Sequence, residues 1–201
     1  MKKFSFIFLF IFAINSQAQS QTNGSSFLNN TAFKVGYYGN VFFDNGINIG
    51  AEYEWKEKET IKEKRKRQKT ITHQLLFNGS IGYSTDFNNQ TNNGLSAYSG
   101  IIGRRTNSKR WQVNLELNPL GYYRSFLPTT FEVDGNDVTK VNVPGRSYYA
   151  PSIAFGLGRL GKKEKHLGWY LNFNCTLRTP YNAGTLPIFS LQYGHRFNFK
   201  K

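Results

Sequence analysis

The side chains in this sequence able to do chemistry are three histidines, one cysteine and a few carboxylates that could meet arginines. His73, His166 and His195 are far apart in the chain, and Cys175 is the single cysteine. A metal centre needs several His, Cys or carboxylate ligands at converging spacings, and this scatter offers none. One thiol also excludes an intrachain disulfide framework. Barrel lipases and deacylases need a Ser near a His on the wall, and none of the three histidines has a compact Ser/His signature. Glu116 with Arg124 or Arg178 would make an acid beside an oxyanion clamp, yet such pairs also neutralise a narrow polar interior. Gly156-Leu157-Gly158 is a lone Gly-x-Gly within a strand pattern, so a phosphate cradle lacks its helix N-terminus. Small residues facing a crowded lumen account for it better. The expectation is no enzyme, no catalytic residue, no cofactor and no metal, and no motif assigns ligand-binding residues.

The elements around these residues read as strands. Trp111, Val113, Leu115 and Leu117 alternate with Gln112, Asn114, Glu116 and Asn118. Only a strand puts the two sets on opposite faces. Ile47, Ile49, Ala51, Tyr53 and Trp55 alternate with Asn48, Gly50, Glu52, Glu54 and Lys56 in the same way. Two further runs, 167–178 and 189–199, repeat the pattern, and weaker alternation occupies 33–43, 71–85, 95–105 and 148–160. The sum is about eight strands, several as long as the nine to eleven residues of a tilted membrane crossing. The predicted fold is all-β: an antiparallel up-and-down transmembrane β-barrel behind an N-terminal signal peptide.

The start of the chain sets the compartment. Lys2 and Lys3 precede an apolar run over 4–14, and Ser16-Gln17-Ala18 is a small-residue cleavage site, so 1–18 reads as a signal peptide. Residues 19–31 are a flexible polar lead-in, and 32–201 form the barrel domain. If the last strand ends in the periplasm, 106–109 and 161–166 are short periplasmic turns, and the basic stretch 56–69 is a long periplasmic connection. External joints are then the tight turn at Asp44-Asn45-Gly46 and the loops 87–94, 125–147 and 179–187. Within 125–147, Phe131-Glu132-Val133 and 138–143 flank Asp134-Gly135, which predicts a two-stranded flap. The formal charge of +14 concentrates in joints, with eight Lys/Arg and three Glu in 56–69. That distribution and the export signal argue against nucleic acid as a partner.

Alternation leaves the orientation open, because a soluble carrier turns its apolar face inward around a pocket. Charge separates the two. Glu52, Glu54, Glu116, Arg124, Arg178 and Arg196 fall on the polar face, which otherwise carries amides, hydroxyls and glycines and not the Lys and Glu of a soluble surface. Lipid outside and a plugged polar lumen follow. Tyr53, Trp55, Trp111, Trp169, Tyr193 and Phe197 sit near strand ends as an interfacial aromatic girdle. His73 and His195 lie on the apolar face near the inferred periplasmic rim, and Cys175 serves as a small apolar strand residue.

The segments Arg104-Arg105-Thr106-Asn107-Ser108-Lys109, Leu120-Gly121-Tyr122-Tyr123-Arg124-Ser125-Phe126-Leu127-Pro128, Pro144-Gly145-Arg146-Ser147-Tyr148-Tyr149-Ala150-Pro151 and Thr179-Pro180-Tyr181-Asn182 resemble an uncharacterised family of small bacterial outer-membrane-type β-barrel proteins. The resemblance covers most of the mature chain and implies fold and location but no reaction. The pattern is also similar to eight-stranded barrels that tether or stabilise the envelope. The leading expectation is a non-enzymatic integral barrel of the cell outer membrane, contacting its lipid, lipopolysaccharide included, or a partner through its loops. A soluble periplasmic barrel carrying a lipid or small apolar ligand is the second reading, and an envelope lipid-modifying enzyme the third.

Overall fold

The computed structural model describes residues 27–40, 45–64, 67–85, 93–135, 137–161, 168–181 and 184–198. The inferred signal peptide, most of the lead-in and His166 lie outside these. A short 3-10 turn, Phe27–Asn30, leads into β1, and Thr31 Oγ1 donates to Phe27 O at 2.8 Å. The strands are β1 (Thr31–Asn40), β2 (Asn45–Lys64), β3 (Arg67–Thr85), β4 (Asn93–Asn107), β5 (Trp111–Phe126), β6 (Phe131–Asp134), β7 (Asp137–Lys140), β8 (Gly145–Tyr149), β9 (Ser152–Arg159), β10 (Gly168–Tyr181) and β11 (Gly184–Asn198).

β1 to β5 pair in sequence order, β5 pairs with β8 and β9, both pair with β10, β10 pairs with β11, and β11 closes on β1. Every pairing is antiparallel. β8 and β9 share the same two neighbours, so they form one stave interrupted at Ala150-Pro151, and the ring has eight staves. The alternation over 148–160 reads as a single strand; the break arises because Pro151 has no N–H to give a ladder. Ala150 N donates to Gly121 O at 2.8 Å and Leu177 N to Pro151 O at 3.0 Å, which keeps the two halves in line.

The strand registers fix the shape of the ring. Following partners from Trp111 through Arg159, Trp169, His195, Val35, Ile49, Ile81 and Ala97 returns to β5 at Tyr122, eleven positions further on. One of those positions is the extra residue of a bulge opposite Ser99/Ile101, so the stagger is ten. Eight strands with that stagger tilt by about 40° and enclose a backbone radius of about 8 Å, which side chains can fill.

All chain-adjacent joints alternate between two rims. Thr31 and Asn198 mark the terminal rim, with the β2–β3, β4–β5 and β9–β10 connections; the loop rim holds the others. Three joints differ from the sequence reading. Asn45 and Gly46, read as part of a tight turn with Asp44, open β2 and pair with Gly39 and Tyr38; Asp44 lies outside the described residues. The basic segment 56–69 is not an irregular connection, since β2 and β3 stay paired from Lys56↔Leu75 to Lys64↔Arg67 and run past the ring as a ribbon. Its polar composition hid a strand whose partner supplies the ladder. Likewise 179–187 is mostly strand: β10 reaches Tyr181 and β11 begins at Gly184, with a bulge between Arg178 and Tyr181. The flap is present as expected, β6 pairing with β7 from Phe131↔Lys140 to Asp134↔Asp137. Gly135 takes φ +61° at its tip, a conformation glycine adopts without strain.

The two faces separate as the alternation requires. Outward, Val35, Ile49, Ile81, Leu115, Phe155, Phe173 and Leu191 stand on seven of the eight staves and are each 48–54 % exposed. On the eighth, Ile101 is 40 % exposed. Inward, Lys34, Glu52, Arg104, Glu116 and Arg196 are buried. The Trp111–Leu117 row faces away from the axis, and the lumen is the polar side.

Candidate functional site

The lumen holds the densest chemistry among the described residues. Glu52, on β2, is fully buried, with Arg104 Nη2 of β4 against its Oε2. Arg196 Nε of β11 reaches Glu52 Oε1 at 3.2 Å, and Lys34 Nζ of β1 approaches the same oxygen at 3.8 Å. Lys34 Nζ also lies 3.6 Å from Glu116 Oε1 of β5, which accepts from Asn78 Nδ2 at 2.6 Å and Asn118 Nδ2 at 2.9 Å. Arg104 Nε donates to Asn114 Oδ1 at 2.9 Å, and Arg196 Nη1 to Gln112 Oε1 at 3.3 Å. The remaining staves join through Asn118 Nδ2 donating to Ser152 Oγ at 3.1 Å and the Arg196 guanidinium 4.5 Å from the Tyr170 ring centre. Three cations face two carboxylates, so every stave is tied into one plug carrying a single excess positive charge. Desolvating that many charges is costly; mutual attraction and the hydrogen bonds above offset part of it, while Asn114 Nδ2 and Asn78 Oδ1 are buried without a partner.

Sequence reasoning placed Glu52, Glu116 and Arg196 in this interior and missed two members, Lys34 and Arg104. The signal was available for Lys34, which sits between Phe33 and Val35. Arg104 follows Gly103, so the outward position just before it carries no side chain to mark the alternation. Glu54 is on the same face nearer the terminal rim, where Gln74 Nε2 donates to it at 2.7 Å.

Two expected placements are corrected. Arg124 is not lumenal: the bulge on β5 shifts the phase by one residue, turning Tyr123 inward and buried, while Arg124 Nη2 donates to Val143 O at 3.0 Å at the loop rim. The cation beside Glu116 is therefore Lys34 and neither Arg124 nor Arg178. Arg178 is lumenal but higher, its guanidinium 3.4 Å from the Tyr123 ring centre. Around it Tyr38, Ser96, Tyr98 and Thr176 line a polar cavity of about 50 Å³ towards the loop rim. At about 10–15 Å³ per water, that is room for a few solvent molecules and not for an acyl chain.

The other candidates lie on the outer wall. His73 is exposed and His195 half-buried edge-on to Tyr193, at a ring separation of 5.5 Å. Cys175 is half-buried on an outward strand position, between Asn174 and Thr176. No three His, Cys, Asp or Glu side chains converge on a metal-sized site among the described residues. Gly156 and Gly158 point inward, where a Cβ on Gly156 would stand 2.0 Å from Asn172 Oδ1, so crowding in the lumen explains the Gly-x-Gly pair.

Aromatics mark both ends of the outer wall. Trp55, Trp111 and Trp169 all sit near the terminal rim; Trp111 meets Trp169 edge-on at 5.8 Å, and Trp55 stacks on Phe77 at 5.1 Å. Tyr53 stacks on Phe27 of the leading turn at 5.1 Å. Near the loop rim Tyr37, Tyr83, Tyr122, Tyr149 and Tyr181 form a second, tyrosine-only set, each exposed. Sequence reading picked out only the first set, because the second is scattered among polar loop residues. Between the two, the outward row of β5 from Trp111 to Leu120 climbs about 20 Å at the tilt above, the bulge residue adding no height. That is close to the ~25 Å apolar band of outer-membrane barrels.

Comparison of the chain with protein-family models, with curated proteins and with solved structures matches none of them. The functional reading therefore rests on geometry.

Proposed function

We propose that this chain is an integral outer-membrane β-barrel with a non-enzymatic role, structural or loop-mediated binding, and a sealed lumen. The observation that carries the reading is the inside-out distribution: ionised side chains buried at the axis, large apolar ones exposed around the whole circumference. A cylinder of about 8 Å backbone radius and about 25 Å height presents on the order of 2,000 Å² to its surroundings once clothed in side chains. Soluble monomers rarely expose apolar patches beyond a few hundred Å². Hydrocarbon removes that cost, and closure of the ring leaves no unpaired strand edge for lipid to desolvate. The tryptophan and tyrosine sets supply headgroup-level anchors. The export signal read over 1–18 agrees with this location. An inward apolar pocket, which a soluble lipid carrier requires, would need the Trp111–Leu117 row turned to the axis.

In this reading the terminal rim faces the periplasm, and the loop rim with the β6–β7 flap faces outward. Phe131, Val133 and Val138 are exposed on that flap, giving it apolar surface for lipopolysaccharide or a protein partner. Fractionation of inner and outer membranes tests the location. The protein is expected in the outer-membrane fraction, extracted only by detergent, and running at a different gel mobility unheated than heated. Recovery in the detergent-free periplasmic extract with no heat-dependent mobility would overturn the proposal.

A further inference from the structure

Among the described residues, the apolar cover of the outer wall has an interruption that coincides with basic side chains. The registers align Leu75, Gly103, Leu115 and Phe155 in one row across β3, β4, β5 and β9, and Lys58, His73, Arg105 and Val113 in the row nearer the terminal rim across β2 to β5. Gly103 leaves a gap in the first row: a Cβ there would meet nothing closer than Leu115 O at 4.0 Å. A groove of about 310 Å³ results, with Val113, Leu115 and Phe155 along its apolar part and His73 and Arg105 at its mouth. That volume is at the lower end of small-molecule pockets, about 300 Å³.

The charge around the mouth is one-sided. β3, β4 and β9 contain no Asp or Glu, and the one carboxylate of β5, Glu116, is in the lumen. On β2 the bulge at Trp55 sets Glu57 on the same face as Glu54, where both accept from Gln74 Nε2, and leaves exposed Lys56 and Lys58 on the outer face. An arginine on a lipid-facing row is tolerated only where its head reaches the polar interface, and here that head has no carboxylate to pair with among the described residues.

The geometry points to a bound anionic phospholipid: an acyl chain lies in the gap at Gly103, and the phosphate sits at Arg105 and His73, with Lys58 beside them. The site rests on the membrane reading above and adds to it a lipid class and a position. A guanidinium at an anionic headgroup contributes about fivefold in affinity, and filling the gap removes the seat of the chain.

The test uses the refolded full chain in vesicles of phosphatidylcholine with phosphatidylglycerol, solubilised gently for native mass spectrometry. One retained phosphatidylglycerol per protein is expected, in preference to phosphatidylcholine. Arg105→Gln should lower that retention about fivefold and Gly103→Phe should abolish it, both variants keeping the heat-dependent gel mobility of the inserted barrel. Equal retention by the variants, or no preference between the two lipids, would overturn the site while leaving the membrane reading intact. A dimer without lipid that Gly103→Phe dissociates would assign the groove to a second copy and overturn it too. Failure of the unmodified chain to insert at all would remove both readings together.

Discussion

Glu52→Ala is expected to lower the stability of the folded barrel by about 3–5 kcal/mol, the range for removing one partner of a buried ion cluster. Glu52 stands between Arg104, Arg196 and Lys34, so its loss leaves three cations around an emptied centre with Glu116 as the one carboxylate left in the plug. Arg104, Arg196 and Lys34 are all buried, so water reaches them only through the cavity of about 170 Å³ that Glu52 and Arg104 line on the terminal side. Glu52→Gln should recover part of the loss by keeping an acceptor oxygen for Arg196 Nε. Urea or guanidinium titration of the detergent-refolded protein, followed by fluorescence of the three tryptophans, measures both. A change below ~1 kcal/mol for the alanine variant would show that the plug contributes little.

The second large effect concerns the opposite face. Leu115→Arg places a cation at mid-strand on the outer wall and is expected to cost about 2–4 kcal/mol in the inserted state, the depth-dependent penalty for Arg on a lipid face. Leu115 is 49 % exposed, so no loss of core packing contributes to that figure. Glu132→Arg on the exposed flap is the control, expected to be silent within ~0.5 kcal/mol. Folding titrations in vesicles check the pair. Equal stability for both variants would place water, not hydrocarbon, against Leu115.

These two residues also mark how much of the molecule the sequence discloses. Leu115 and Glu116 belong to the Trp111–Asn118 series, where strict alternation on an unbroken strand specifies both faces, and the structure keeps each residue on the face so assigned. A few residues further on, the same logic fails for Arg124. A bulge at Asn118-Pro119, opposite Gly100, inserts one residue and flips the phase; Pro119, with no N–H for the ladder, is its one trace in the sequence, and the reading by alternation passed over it. The ribbon of β2 and β3 beyond Lys56 illustrates a different limit. Its residues are polar on both faces, so periodicity in hydrophobicity vanishes although the hydrogen-bonded ladder continues. The plug was legible in kind but not in membership. Alternation places a charge in the lumen, yet which carboxylate meets which cation depends on stagger: Glu52 and Arg196 are 144 residues apart and meet because the ring closes.

The structural roles divide cleanly along the wall. Paired charges on five staves, with Asn78, Ser152 and Tyr170 on the other three, hold the ring at the axis, aliphatic side chains and glycines cover the belt, and the polar excess goes to the two ends. That division explains how a chain with a formal charge of +14 can carry an apolar exterior. It also explains why scattered His and Cys carry no shared chemistry: His73, His195 and Cys175 stand on outward positions of different staves and do not converge.

The central claim is that hydrocarbon touches the odd-numbered residues from 111 to 117 and protein encloses the even-numbered ones. Single-cysteine variants across this segment, made in a Cys175→Ser background and labelled with an environment-sensitive fluorophore in vesicles, read it directly. Quenching by nitroxide groups on the acyl chains should alternate, strong at 113, 115 and 117 and weak at 112, 114 and 116. Uniform quenching by a water-soluble quencher at 113, 115 and 117, with none from the acyl chains, would contradict the account.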